Sequence, residues 1–458
     1  MTGPTHRAAP TRRRSPAPHR FRDGSQATAP LRARGNSAVD HAPAARVRES
    51  AAHQGWDGSV ARGVALTLLC TAAFVAAWSP ALMERVCGPA ALLAYVCCGR
   101  RPRPRAADLL AAALAVWALT IQAWAPERAV AFRSAYLYAA ACLMFIAVRH
   151  VVRTRFAWFL VGYAALAGCL VATGKLLTGT EAGNVPSRDS IFDFSVRYGI
   201  DGVNFNYTSY TLVTGLVLGL ALLLLRPATL AERLGIAAAL LLIGYGVVLT
   251  GTRASVIGVL LGVCLLLLSR VAPKVARLGA ATVTPAALIL IPLGLYQLFS
   301  SETLWLDGLF GRPTGDLSGR TGIWPVALTS WSESLLTGVG PSMFTALGPL
   351  GVGPHNLLLT LGTDLGLIGV LLYGGVFATA LAAPLRHANP VCWGITGIFL
   401  VALLPVWLTG HWEKSVLCFA VAGLVSVAPQ VVRPATPGRR TTPDQPRPVA
   451  ESFAPSRP

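Results

Sequence analysis

Charge is what this chain lacks most. Asp, Glu, Lys and Arg make up 13% of its 458 residues, against 53% hydrophobic ones. So little charge cannot cover a soluble protein of this length. Long apolar runs separated by short basic clusters read instead as a polytopic membrane protein. Alternation of apolar and polar residues is missing too, as in "LVTGLVLGLALLLL" at 212–225. Only helices and closed barrels cross a bilayer, and without that alternation the barrel is excluded. Cysteine is unpatterned: nine residues, no C-x-x-C pair and no Cys/His cluster, most of them inside apolar runs. They read as small apolar filler, and neither a metal nor a cofactor is expected. Cys97 and Cys98, beside "GRRPRPR", read as helix-end filler or as an acylation site.

Acids are scarcer than bases, 20 against 39, for a net charge of +19. Such an excess suggests nucleic acid, but its distribution argues otherwise. The first 55 residues hold ten Arg and three acids, and the tail from Arg433 holds five Arg and two acids. Most of the rest lies between apolar runs. That is the positive-inside pattern of membrane insertion, and no folded basic domain exists to bind nucleic acid. Residues 1–58 and 433–458, rich in Pro and Arg, read as disordered cytoplasmic tails around a membrane domain at 59–432. "TRRRSP" lies some fifty residues before the first apolar run, too far for a twin-arginine signal.

The fold class expected is all-α, with twelve membrane helices at 62–80, 86–98, 107–125, 132–149, 156–175, 207–225, 234–250, 254–269, 278–299, 356–384, 391–409 and 415–431. Basic residues follow helices two, four, six, eight and ten: Arg100 to Arg105, Arg149 to Arg155, Arg226 and Arg233, Arg270 to Arg277, and Arg386. All lie on the side of the basic tails, so both termini are expected in the cytoplasm. Two long loops then face outward, at Lys175–Asn206 and, between helices nine and ten, at 300–355. Loops of that length are usually functional or disordered. In the second, Ile323, Ala327, Trp331 and Leu335 suggest a short amphipathic helix, with Trp324 and Trp331 suited to the membrane interface.

Several polar residues stand at the outward side against the positive-inside bias. Arg253 in "LTGTRASVIG" sits in a very short turn with small neighbours, where a guanidinium fork suits a phosphate. Arg320 in "LSGRTGIW" opens the amphipathic segment. Arg197 and Arg188 lie in the first loop, and Arg312 lies upstream of Arg320. Arg188 and Arg312 read as solvated or paired with Glu302, Asp307 or Asp316. His355 in "GVGPHNLLLTLG" has two readings: a cap of helix ten beside Asn356, or an acid–base group able to take a hydroxyl proton. Arg253, Arg320 and His355 converge on one face under a topology derived without them. Asp364 follows His355 by nine residues, about 13 Å down a helix and half a turn off. Direct contact between them is not expected, and an intramembrane acid is read as network support. Gly338 and Gly340 mark a turn, and Gly366 and Gly369 allow close helix contact. Asn204 and Asn206 read as sugar-binding groups or as helix caps.

These segments resemble the O-antigen ligase and polymerase family. "HNLLLTLGTDLGLIG" fits its pattern H-[N/S/Q]-x9-G-x-x-[G/T/Y] through His355, Asn356, Gly366 and Gly369. "LTGTRASVIGVLLG", "GRTGIWPVALTSWSESLLTGVGPSMF" and "RYGIDGVNFNYTSY" resemble its other signatures, so the likeness covers roughly 195–380. The resemblance implies a metal-independent, inverting glycosyl transfer at the external face of the cytoplasmic membrane. It implies a donor glycan on undecaprenyl pyrophosphate and a glycan or other acceptor. Arg253, Arg320 and His355 would be catalytic: the arginines would bind the pyrophosphate, and His355 would activate the acceptor or assist the leaving group. Arg197, Asn204, Asn206, Asn356 and Trp324 would contact substrate, with Asp364, Gly366 and Gly369 in support. Asp364 stands where the family usually has Glu. A transporter or flippase of lipid-linked sugars, and a non-catalytic scaffold, are the competing expectations.

Overall fold

The computed structural model describes residues 44–98, 103–178, 181–184, 196–200, 203–225, 229–293 and 320–432. Arg188, Glu302, Asp307, Arg312 and Asp316 lie outside these residues, as do 1–43 and 433–458 of the expected tails. The chain divides into two units, Met1–His53 and Gln54–Pro458. Of the first unit only 44–53 are described, and they are helical.

Alternating apolar runs and short polar turns give a sequence of antiparallel helices. They are α1 (Ala44–Trp78), α2 (Pro80–Cys97), α3 (Ala106–Ile121), α4 (Arg128–Val151), α5 (Arg155–Leu177), α6 (Phe205–Leu224), α7 (Leu230–Leu249), α8 (Arg253–Val271), α9 (Pro273–Leu293), α10 (Arg320–Glu333), α11 (Met343–Leu347), α12 (Leu357–Arg386), α13 (Pro390–Thr409) and α14 (Val416–Val431). Ten helices among the described residues are long and apolar enough to cross a membrane. The twelve expected spans map onto those ten together with α2 and α14. Glu84 and Arg85 interrupt the apolar run of α2, and α14 has only 16 residues. Both still pack in the bundle, each against α4.

Local chemistry moves some boundaries. α7 begins four residues earlier than expected because Thr229 and Glu232 form a capping box. The Glu232 N–H donates to Thr229 Oγ1 and the Thr229 N–H to Glu232 Oε2, each at 3.1 Å. The first long loop also holds two short antiparallel strands, β1 (Glu181–Asn184) and β2 (Val196–Tyr198). Helical periodicity alone does not reveal strands this short.

The largest departure from expectation lies in α12. The helix breaks at Gly366, whose φ is +67°. The chain between α10 and α11 enters the break. Val339 N–H donates to Thr363 O at 2.7 Å, and Leu367 N–H donates to Leu335 O at 2.8 Å. Ile368 N–H reaches Leu336 O at 3.3 Å, and Trp117 Nε1 donates to Leu365 O at 3.0 Å. Irregular backbone at membrane depth survives only where protein satisfies it, as here. Gly366 therefore does not serve close helix contact: a Cβ there would overlap Leu336 O, and one at Gly369 would overlap Leu365 of the same helix. Higher up, the Trp331 indole occupies the space that a Cβ at Gly362 would need.

Gly366→Ala should destabilise the protein by about 1–3 kcal/mol from backbone strain alone, with the overlap adding to it. Thermal unfolding in detergent checks this. Gly374→Ala in the same helix, with nothing within 4 Å of its new methyl, should leave the midpoint unchanged. Equal midpoints for both variants would sink the interlock.

Candidate functional site

Helix alternation gathers at one end of the bundle the starts of α4, α6, α8 and α12, the ends of α3, α7 and α13, and the turn at 410–415. His355 stands there just before α12, with φ +51°. A left-handed imidazole is unusual and persists only where its surroundings hold it. Trp324 of α10 donates from Nε1 to Pro354 O at 2.9 Å, on the residue before. Asn356, fully buried, caps α12 by accepting from Leu359 N–H at 3.2 Å and donates from Nδ2 to Leu408 O at 3.1 Å. The segment is thus clamped on both sides of His355.

The clamp corrects two expectations. Trp324 is 1% exposed and lies under the His355 segment, not at the interface. Its indole packs with Ala327, Phe344 and Leu359, so the buried stripe of α10 runs through Trp324 and Ala327. The side chain of Asn356 is engaged on both sides, as a cap.

Opposite His355 stands His411, their ring centroids 4.3 Å apart. His411 Nδ1 lies 3.4 Å from Thr360 Oγ1. Gly353 makes room for it, since a Cβ there would overlap the imidazole. Arg320, the first residue of α10, is within electrostatic reach of both rings. Burial first, then His411 and Arg320, pulls the His355 pKa from 6.5 down to about 3, with Glu413 pulling weakly the other way. Burial, Lys414 and Arg320 take His411 to about 3 as well. At neutral pH both imidazoles are neutral.

Beneath them lies a buried charge network. Lys414 Nζ donates to Ser134 Oγ and Ser342 Oγ, each at 3.0 Å, and sits 3.6 Å from Asp364 Oδ2 and 3.2 Å from Glu413 Oε1. Tyr138 OH reaches Asp364 Oδ2 at 3.5 Å. Burial would push the Lys414 ammonium down; Glu413 and Asp364 overcome it and hold the pKa above its ordinary value. Asp364 thus has its cationic partner, as an intramembrane acid requires.

Arg253 opens α8 after Gly251, whose φ is +59°. Its neighbour Thr252 donates to Asn206 Oδ1 at 3.1 Å. Asn204 caps α6 by accepting from Asn206 N–H at 2.8 Å. From there Tyr207 and Tyr210 contact Trp412, which adjoins His411. Arg197 lies over the Phe205 ring at 4.5 Å. Arg320, His355 and His411 come together, while the turn before Arg253 connects to them through Asn206, Tyr207 and Trp412.

Residues 238–374 match the family model described as O-antigen ligase. That likeness covers less than a third of the chain's 458 residues. No curated protein matches the chain. The matched segment includes Arg253, Arg320, Trp324, His355, Asn356, Asp364, Gly366 and Gly369, while Arg197, Asn204, Asn206 and the turn with His411 lie outside it. A match of this kind in a multi-pass membrane protein supports a glycosyltransferase-like function.

Sequence reasoning missed His411, Glu413 and Lys414. A signal was present: "GHWEKS" puts three ionisable residues into a turn between two apolar runs, on the same side as Arg253.

Both histidines have ordinary pKa values near 6.5 in the unfolded chain and lowered ones in the fold. Between about 6.5 and about 3 the unfolded state binds more protons, so their contribution to stability is lost as pH falls through that window. Imidazole ¹⁵N NMR should show His355 and His411 neutral from pH 8 to pH 5. A transition of either ring near pH 6.5 would overturn this electrostatic picture.

Proposed function

We propose that the chain is an integral membrane glycosyltransferase of the O-antigen ligase and polymerase type. It transfers or polymerises glycan from an undecaprenyl-pyrophosphate donor at the external face of the cytoplasmic membrane, without metal and with inversion. Both termini then face the cytoplasm. The observation that carries this reading is the His355–His411 pair, half-buried, neutral and within the field of Arg320, at the head of an apolar groove. That groove, about 440 Å³, starts at Leu357 and Trp407 and runs between α9, α12 and α13 past Leu288, Thr284, Tyr373 and Phe377. It suits a polyprenyl chain whose diphosphate sits beside His355.

In the reaction the acceptor hydroxyl attacks the anomeric carbon as the carbon–oxygen bond to pyrophosphate breaks. The hydroxyl proton passes to His355, and the electron pair of the broken bond leaves on the pyrophosphate oxygen. Attack opposite the leaving group inverts the anomeric centre. Arg320 and Arg253 stabilise the charge that develops there. Without a nearby anion His355 is a weak base. The donor's negative charge counteracts the Arg320 field and raises the proton affinity of His355. Thr360 Oγ1, 3.4 Å from His411 Nδ1, steadies the imidazole that faces His355.

Transport has two observations in its favour, the broken helix and the buried Asp364–Lys414 pair, both familiar in transporters. Yet the break is sealed by the chain at 335–339, and the Lys414 network clusters at the His355 end. Glycan transfer in detergent, with no compartments to cross, separates the readings.

Arg320→Ala should lower transfer about 10- to 150-fold, the range for one lost charged hydrogen bond of about 1.5–3 kcal/mol. His355→Ala should cost at least about 100-fold. Arg320→Lys should recover little, because an ammonium does not reproduce the guanidinium fork. All three should insert normally. Full transfer by either alanine variant would remove the mechanism.

A further inference from the structure

At the end of the bundle away from His355, a cavity of about 450 Å³ is lined by Arg103, Arg105, Asp108, Arg149, His150 and Arg153. The start of α3, the end of α4 and the end of α14 enclose it. Four guanidiniums face one carboxylate, and that carboxylate is engaged. Asp108 Oδ1 accepts from Arg149 Nε at 2.6 Å. Its Oδ2 accepts from Arg105 N–H at 2.9 Å and lies 3.4 Å from His150 Nε2. Arg149 also donates to Ser426 Oγ at 2.8 Å, which ties α3, α4 and α14 together. Arg149 and Asp108, 7% and 4% exposed, are the frame of the cavity.

Arg103, Arg105 and Arg153 are different. All three are exposed, and no carboxylate among the described residues pairs with them. Arg153 spends its Nε on His150 O at 2.9 Å, which leaves its terminal nitrogens for another acceptor. Positive-inside insertion explains arginines at this end. It does not explain why three of them line one cavity whose single acid is already neutralised. Planar guanidinium forks match phosphate oxygens, and basic pockets between membrane helices hold lipid headgroups. The apolar surface beside the cavity points the same way: Leu109, one turn along α3 from Arg105, is 57% exposed, and Phe156, three residues after Arg153, is 71% exposed.

We propose that this cavity binds the phosphodiester headgroup of an anionic membrane lipid, with acyl chains lying along the surface that carries Leu109 and Phe156. Arg103, Arg105 and Arg153 are the ligands, and Arg149 and Asp108 hold the wall behind them. The site is separate from the His355 centre and does not depend on the reaction assigned there.

The test uses the full-length protein in detergent, titrated with phosphatidylglycerol, phosphatidylcholine and inorganic phosphate and read by native mass spectrometry. Phosphatidylglycerol should bind saturably, at least tenfold tighter than phosphatidylcholine. An Arg103→Gln/Arg153→Gln double variant should lose at least tenfold of that affinity while its lipid-free unfolding midpoint stays unchanged. Arg149 is left intact because it holds Asp108. Equal affinity for the two lipids, or undiminished binding by the double variant, would overturn the proposal. So would inorganic phosphate displacing the lipid at matching concentration, which would make the site one for a soluble phosphate.

Discussion

The geometry of the candidate site rests on backbone hydrogen bonds that α12 cannot make for itself. At Gly366 the helix gives up its own pairing at membrane depth, where each open polar group costs several kcal/mol. Val339 N–H and Trp117 Nε1 take the carbonyls, while the oxygens of Leu335 and Leu336 take the amides. A chain segment outside the helix is thereby locked into it. That segment follows α10 directly, so the break also anchors the helix that carries Arg320 and Trp324. Trp324 in turn holds Pro354, and His355 comes next. A guanidinium and an imidazole 35 residues apart in sequence are positioned by one stretch of backbone that its own helix cannot pair.

Electrostatics supplies the second constraint. Burying Lys414, Asp364 and Glu413 together is tolerable only because each faces an opposite charge, with two serines completing the ammonium's bonds. Such a cluster is a weak source of stability. Its consequence is positional: it joins α4, the turn before α11, α12 and the turn that presents His411. Lys414 also adds to the field that keeps His411 neutral.

Much of this architecture was legible in the sequence. Apolar run length and the side of the basic clusters place the helices and bring Arg253, Arg320 and His355 to one end. What was not legible has physical reasons. Gly366 and Gly369 read as small residues for helix contact because sequence cannot show that another segment's backbone will enter the helix. Trp324 read as an interface residue because its partner, a carbonyl thirty residues away, follows only from the fold. His411 and Lys414 escaped because their partners lie 56 and 50 residues earlier. The capping role of Asn204 was left open against sugar binding, and local geometry favours the cap.

Arginine at the two ends of the bundle does opposite work. At one end Arg149 meets Asp108 directly, the charges cancel, and the result is a rigid wall. At the other, Arg320 acts electrostatically on two neutral imidazoles. Its field adds to burial in suppressing their protonation and leaves His355 a weak base. An anion arriving between them offsets the part of that field that weakens the base. On the proposed mechanism, a site built this way stays quiet toward water and hydroxyls until the diphosphate is in place.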